Sequence, residues 1–379
     1  MKKIKDRLLQ IELPSKKSAF LWGPRKTGKT YWINRHFPGA ILIDMLKTDV
    51  FADFASRPAL LRERYQNYQG LIIIDEIQMV PSLLNEIHWM IENTDVSFFM
   101  TGSSTRKLRR SHANLLAGRA WRYTMTPLAW CETAGFELTE VFVSGLLPPH
   151  YLSSDPMQDL RSYVADYLKE EIAAEAVTMN IPAFSEFLRV AALSSGELLN
   201  YTNVGRETGI STKVVRNYFQ ILEDTLLGFR VQPWRKAKNR RLIETEKFYL
   251  FDVGVSNYLA RRRPEAGTPE FGHSFEHFIL MELKAYQAYR NPELDIRYWR
   301  TSTGFEVDFI LGDMGMALEV KGTQRVHDGH ARGLKALLEE QRVGKAIIIA
   351  LEKKPKRVQG ISVLPWQVFL DSLWSGDLI

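Results

Sequence analysis

Three short apolar runs mark the first third of the chain, and each ends in polar residues. Ser18–Trp22 leads into Gly23-Pro24-Arg25-Lys26-Thr27-Gly28-Lys29-Thr30, Leu71–Ile74 ends in Asp75-Glu76, and VSFFM ends at Thr101-Gly102-Ser103-Ser104. Unbroken apolar runs of this length predict strands of a parallel sheet buried on both faces. The middle of the chain changes period. LRSYVADYLKEEIAAEA and IPAFSEFLRVAALSSGELLN space their apolar residues as helices do. A short helix, a turn at Gly209, an N-cap at Ser211, a longer helix from Thr212 to about Leu227 and then a strand are predicted next. In that longer helix Val214, Val215, Tyr218, Phe219 and Leu222 form the buried stripe.

The last third reads helix, two-strand hairpin, helix, strand. Phe275, Phe278, Ile279, Glu282 and Leu283 have helical spacing, and GFEVDFILGDMGMALEVKG folds about Gly312–Gly315 with Asp313 and Met314 at the tip. DGHARGLKALLEEQ and KAIIIAL supply the following helix and strand. Strand alternation places Glu306, Asp308, Glu319 and Lys321 on one face and Val307, Phe309, Leu318 and Val320 on the other. In that register Asp308 lies opposite Glu319, and Glu306 opposite Lys321. Two carboxylates face to face repel unless a cation lies between them, and a divalent metal ion fits that need.

The expected fold class is α/β, in three units: a parallel-sheet domain over 1–145, a mostly helical domain over 146–264 opened by a Pro- and Ser-rich linker at 146–160, and a mixed α/β domain over 265–379. A chain of 379 residues is long enough for this. The net charge of +6 hints at an anionic partner. A single cysteine, Cys131, excludes an internal disulfide and fits a reducing cytoplasm. The first 17 residues lack the apolar core of a signal peptide, and no apolar run approaches the roughly 20 residues of a membrane-spanning helix. No membrane partner is expected.

The first loop is G-x-x-x-x-G-K-[ST] between a strand and a helix, the context in which that pattern binds phosphate. Backbone N–H groups of the loop from Gly23 to Thr30, Pro24 excepted, would wrap the phosphates of ATP, Lys29 would neutralise their charge, and Thr30 would ligate Mg²⁺. Asp75 at the tip of its strand would complete the Mg²⁺ shell, and Glu76 would polarise the attacking water. Thr101 and Ser103 are placed to sense the terminal phosphate, and Ser103-Ser104 also suits a helix N-cap. Arg119, just after the helix that follows, is placed either on the surface or as a finger reaching the nucleotide of a neighbouring subunit. The second use requires a homo-oligomer, a hexamer being one arrangement.

These motifs, in this order, resemble AAA+ ATPases. The form LWGPRKTGKT, LIIIDEIQ, FFMTGSS, LAGR, PL is similar to the prokaryotic AAA+ group that carries the C-terminal domain of unknown function 4143. The resemblance covers nearly the whole chain and implies nucleotide hydrolysis. It leaves open what the hydrolysis drives.

The middle region follows helix-turn-helix grammar with a wing behind it. Lys213, Arg216 and Asn217 lie on the early outward turns that would enter a DNA groove. Arg235, Lys236, Lys238, Arg240 and Arg241 form a basic segment at the expected wing tip, suited to phosphates. Protein docking is the other use of such a module. The C-terminal order resembles the PD-(D/E)XK nuclease fold. That resemblance implies Mg²⁺ held by Asp308 and Glu319 with help from the Val320 carbonyl. Lys321 would activate water, and Glu276 would complete the acidic set. HSFEH, His273 to His277, matches an inverted zinc-protease pattern but has no evident third ligand. Two functions follow. The first is an ATP-driven protein acting on DNA, with a C-terminal domain that binds and cleaves it. The second is a nucleotide-switched regulator whose later domains only dock partners.

Overall fold

The computed structural model describes residues 3–14, 16–106, 116, 118–168, 180–236 and 238–378. The helix expected after Ser104 and the end of the one expected through residue 176 lie outside them. Among the described residues, β1 (Ser18–Trp22), β2 (Ile41–Asp44), β3 (Leu71–Asp75), β4 (Ser97–Gly102) and β5 (Ala120–Thr124) form one all-parallel sheet in the order β2-β3-β4-β1-β5. The apolar runs are its central strands, and both faces are covered. Ile72, Ile74, Phe98 and Met100 pack in one cluster, while Ala19, Leu21, Ile73 and Phe99 pack in another on the opposite side. The loop after β1 opens helix α1 (Lys29–His36), and helix α2 (Leu83–Asn93) follows β3.

The stretch 146–160 is not a free linker. Pro148 and Pro156 stand at the starts of two short helices, where a missing N–H costs nothing. Leu147, His150, Tyr151 and Leu160 are fully buried. Helices α3 (Ile181–Leu193), α4 (Tyr201–Thr208) and α5 (Thr212–Asp224) then enclose one core with Phe184, Phe187, Val215, Phe219 and Leu222. Gly209 takes φ 70° in the turn between α4 and α5, and the Ser211 hydroxyl accepts from the Val214 N–H. The longer helix stops at Asp224, short of the expected Leu227, and Leu226 turns left-handed at φ 60° to start the next strand.

The remaining strands are β6 (Gly228–Pro233), β7 (Lys247–Leu250), β8 (Ile296–Arg300), β9 (Glu306–Leu311), β10 (Met316–Lys321), β11 (Lys345–Ala350), β12 (Lys356–Val358) and β13 (Ile361–Pro365). They form one mixed sheet in the order β12-β13-β11-β10-β9-β8-β6-β7. Helix α6 (Pro269–Tyr289) packs on one face with Phe275, Phe278 and Ile279, and helix α7 (Arg332–Glu340) on the other with Leu334 and Leu337. The β6–β7 hairpin joins this sheet through Gln232 and Pro233, which pair in parallel with Arg297 and Tyr298. The sheet therefore runs across the expected boundary at 264/265.

The expected basic wing tip lies flat on the C-terminal region. Leu242 bridges Thr301, Lys236 pairs with Asp313 at 2.8 Å, and Arg240 pairs with Glu339 and donates to the Ala336 carbonyl at 3.1 Å. The N–H groups of Lys238 and Asn239 donate to Glu340. Acidic groups distant in sequence claim this loop. No helix among the described residues is long and apolar enough to cross a membrane.

Candidate functional site

The first site gathers at the C-terminal ends of the central strands β1, β3 and β4. Gly23 leaves β1 so close to β5 that a Cβ would meet the Met125 carbonyl at 2.5 Å, and Gly28 takes φ 94°. Both positions require glycine, for space and for conformation respectively. Within the loop the Thr27 hydroxyl donates to the Pro24 carbonyl at 2.8 Å, and the Lys29 ammonium to the carbonyls of Gly23 and Pro24 at 2.8 and 3.2 Å. The Thr30 hydroxyl donates to Asp75 at 2.7 Å, and Thr101 donates to the other oxygen of that carboxylate. Burial raises the Asp75 carboxyl above its ordinary range, and these two hydroxyls work against the shift.

Glu76 follows Asp75 at φ 60°, a left-handed conformation that costs a non-glycine residue on the order of 1–3 kcal/mol. That turn gives adjacent carboxylates different partners. Glu76 accepts from the Gln78 amide and from the Ser103 hydroxyl at 3.1 Å, while its own N–H donates to Thr101 at 3.2 Å. Thr30, Asp75, Glu76, Thr101 and Ser103 are thus joined by one hydrogen-bond network. Thr30 and Asp75 fit a Mg²⁺ ion that accompanies a nucleotide, because a hydroxyl and a carboxylate already converge there. Arg119 pairs with Glu92 of α2, and both side chains are exposed. Gln78 was not legible as part of this site, since its only sequence signal is its place two residues after Glu76.

The second site lies where β9 and β10 separate. Leu311, Ile310 and Phe309 pair with Met316, Ala317 and Leu318, the register that sets Asp308 across from Glu319. The strict alternation expected along β9 fails, however. Trp299 pairs with Val307 and Arg297 with Ile310, so Tyr298 faces both Asp308 and Phe309. This bulge turns Val307 to the α7 face, while Phe309 stays with Leu318 and Val320 on the α6 face. It also frees Asp308 from the ladder, and its carboxylate accepts from the Val320 N–H at 2.7 Å.

Both facing carboxyls are buried. Burial, then Glu276, raises Asp308 to about 7, and burial, then Asp308, raises Glu319 well above its usual range. Lys321 pairs with Glu319 at 2.5 Å rather than with Glu306 across the hairpin, whose carboxylate belongs to Lys247 and Arg300. The buried oxygen Oε2 of Glu319 has no hydrogen-bond partner, which fits a proton or a cation there. On the α7 side, Gly333 approaches so closely that a Cβ would stand 1.9 Å from the Glu306 carbonyl.

Glu276 does not complete an acidic triad. It accepts from the Tyr249 hydroxyl at 2.6 Å and from Lys247 at 3.4 Å. Burial pushes its carboxyl up, but Lys247 and that hydroxyl outweigh burial and hold it below the ordinary range. Lys247 also pairs with Glu306 at 2.7 Å, and its side chain is 4% exposed. A lysine of β7 therefore supplies the positive charge that a metal ion would otherwise bring to Glu276 and Glu306. Its signal in the sequence was a lone cation opening the apolar strand KFYL. Among the described residues no three His, Cys, Asp or Glu side chains form a metal-binding group. His277 spends Nε2 on the Leu250 carbonyl at 2.7 Å.

Of the residues expected to meet DNA, Lys213, Arg216, Arg235, Lys236, Lys238 and Arg241 are exposed. Arg216 stacks over Tyr201 at 4.1 Å, and Asn217 accepts from Arg106 at 3.4 Å. Asn217 therefore faces Arg106, just beyond the end of β4, and not a groove.

Residues 15–134 match an AAA domain family, residues 135–266 a domain of unknown function, DUF8612, and residues 271–369 another, DUF4143. An uncharacterized protein of Mycobacterium tuberculosis is 24% identical over 348 residues, 87% of this chain and 76% of the relative. One of Methanocaldococcus jannaschii is 22% identical over 344 residues, 82% and 75% of the two chains. Among solved structures, the Aeropyrum pernix ORC1 protein in complex with DNA is 14% identical at TM-score 0.27, covering 66% of this chain and 87% of that one. The A. pernix ORC2 protein is 12% identical at TM-score 0.25, covering 66% and 89%. The chain is an α/β protein whose first third is an AAA-type domain. Residues 271–369 carry the DUF4143 domain.

Proposed function

We propose that this chain is an ATP-hydrolysing AAA+ protein that acts on DNA. The observation that carries the reading is the shared network of Thr30, Asp75, Glu76, Thr101 and Ser103 beside the phosphate loop. In it Lys29 would turn from the loop carbonyls to phosphate. Asp75 and Thr30 would hold the metal that balances phosphate charge, and Glu76 is already fixed by two donors. In the middle region, α4 and α5 with the β6–β7 hairpin act as a winged helix. Lys213, Arg216, Arg235, Lys238 and Arg241 carry DNA phosphates. Arg119 would exchange Glu92 for the nucleotide of a neighbouring copy in a homo-oligomer. The test is ATP and DNA binding by the purified chain. Lys29→Ala is expected to abolish ATP binding. Neutralising Lys213, Arg216, Arg235 and Arg241 is expected to flatten log K against log salt by about one unit per lost phosphate contact. An unchanged slope would reject the DNA surface.

The C-terminal domain is read as nuclease-like. Asp308, Glu319 and the Val320 carbonyl would hold a divalent ion, whose chemistry is to polarise a phosphoryl oxygen and lower the pKa of water. Lys321 would orient that water from its place beside Glu319. Asp308→Asn is expected to melt no lower than wild type without metal, because it removes one of two facing acids. Saturating Mn²⁺, at about a hundred times its dissociation constant, is expected to stabilise wild type by about 2.7 kcal/mol and the variant not at all. Equal Mn²⁺ shifts in both proteins, or none in either, would sink the metal site. Lys247 favours the second reading, a regulator whose nuclease-shaped domain docks partners, since it already neutralises Glu276 and Glu306. That reading leads if Mn²⁺ does not bind.

A further inference from the structure

The phosphate loop is gripped from behind by a residue twenty positions before its tip. Arg7 Nη1 donates to the Thr27 carbonyl at 2.5 Å. Nη2 donates to the Thr126 carbonyl at 2.7 Å and to the Tyr289 hydroxyl at 2.8 Å, and Nε to Glu132 at 2.9 Å. The guanidinium side chain is 7% exposed and Glu132 is fully buried. Glu132 is itself fixed by the N–H groups of Leu8 and Ala129 at 2.6 and 2.9 Å. Tyr289 is fixed by the Thr126 N–H and hydroxyl at 3.0 and 2.9 Å. Arg7 therefore has one geometry available, set by acceptors from β5's exit, a short helical turn and α6.

The consequence lies in the peptide between Thr27 and Gly28. In a planar trans peptide the C=O and the next N–H point in opposite directions. Holding the Thr27 carbonyl toward Arg7 turns the Gly28 N–H to the opposite side. On either side of Thr27, Lys26 at φ 65° and Gly28 at φ 94° are both left-handed, a conformation that a lysine keeps only where its surroundings hold it. An N–H cradle for an anion works only if its dipoles are preset. Tyr289 closes α6, and Glu276 of the carboxylate cluster lies on the same helix, roughly 20 Å away at 1.5 Å per residue.

We propose that Arg7 is a positioning residue for nucleotide: it sets the phosphate loop by fixing the Thr27–Gly28 peptide, and through Tyr289 it makes that setting depend on the seating of α6. The inference rests on the ATP reading above. The set loop binds phosphate whatever follows, so Arg7 acts on affinity and not on the hydrolytic step. A staple that merely held the N-terminal segment would lower melting temperature and turnover without separating KM from kcat.

The experiment is titration of the full chain with Mg²⁺-ATP, together with steady-state turnover. Arg7→Ala is expected to weaken binding roughly ten- to hundred-fold, the loss of charge-assisted hydrogen bonds, while keeping turnover at saturating ATP. Arg7→Lys restores charge but not the four-way geometry, and is expected to stay close to the alanine variant. Tyr289→Phe touches no loop atom and is expected to weaken binding about five-fold. It keeps the question answerable if the Arg7 variants fail to fold. Wild-type affinity in Arg7→Ala or in Tyr289→Phe overturns the proposal. A wild-type chain that binds no ATP rejects the ATP reading itself, a result told apart from the others before any variant is made.

Discussion

Glu76→Gln is expected to bind ATP with near wild-type affinity and to turn it over roughly 100- to 10,000-fold more slowly, the range that a positioned general base contributes. The substitution keeps side-chain length and an acceptor oxygen for Ser103 and Gln78, but removes the charge proposed to polarise water. The Asp75–Thr30 pair is untouched, so metal and phosphate binding persist. Rapid-quench and steady-state measurement of phosphate release, beside ATP binding by calorimetry, gives the answer. Turnover unchanged in Glu76→Gln would remove Glu76 from the chemistry and leave its hydrogen bonds to Gln78 and Ser103 purely structural.

The second large effect lies at Lys247. Replacing it with methionine keeps the aliphatic stem but leaves Glu276 and Glu306 without their shared cation. Breaking one side of a buried ion pair costs about 3–5 kcal/mol. The loss depends on pH, and its sign follows from the carboxyls. Asp308 is raised to about 7 by burial and by Glu276. A raised carboxyl stabilises the fold below its unfolded value near 4, and that contribution is lost as pH climbs through 7. The Lys247 ammonium is held well above its ordinary value. Burial opposes its charge, and Glu276, Tyr249, Glu306 and Asp308 outweigh burial, so its contribution is complete at neutral pH. Lys247→Met should therefore be tolerated best near pH 4, where the acids can protonate, and worst at pH 8. Urea midpoints at the two pH values test this, and adding Glu276→Gln should recover part of the loss. Equal stability of variant and wild type at pH 8 would show that the charge is not structural.

The apolar runs that end in charge were the most legible part of the fold, because a parallel strand buried on both faces has no polar position to obscure it. β1, β3 and β4 fall where LIII and its fellows lie. The hairpin register was legible too, since the turn Gly312–Gly315 leaves little choice. The face assignment of Val307 was not, because the bulge opposite Tyr298 is set by pairing with β8, a strand that hairpin arithmetic does not include. Chain order likewise hid the neighbours that complete each site. Lys247 reads as one cation among many until β7 is known to begin beside Glu276. Arg7 sits in MKKIKDRLLQ with three lysines in range, and only its acceptors at Thr27, Thr126, Glu132 and Tyr289 set it apart. The Pro-rich stretch misled for a simpler reason: proline punctuates loops and also starts helices.

The sheet that carries β6 and β7 beside β8 has a bearing on how the protein comes apart. A cut near residue 264 would leave Gln232 and Pro233 without the backbone partners that Arg297 and Tyr298 provide, and would strip β8 of its outer neighbour. Each piece would then present a raw strand edge, a surface that seeks other chains. The shared sheet predicts that the middle and C-terminal regions, which match two sequence families, melt together. The AAA-type domain, with its own five-strand sheet packed on both faces, has the means to unfold as a separate transition.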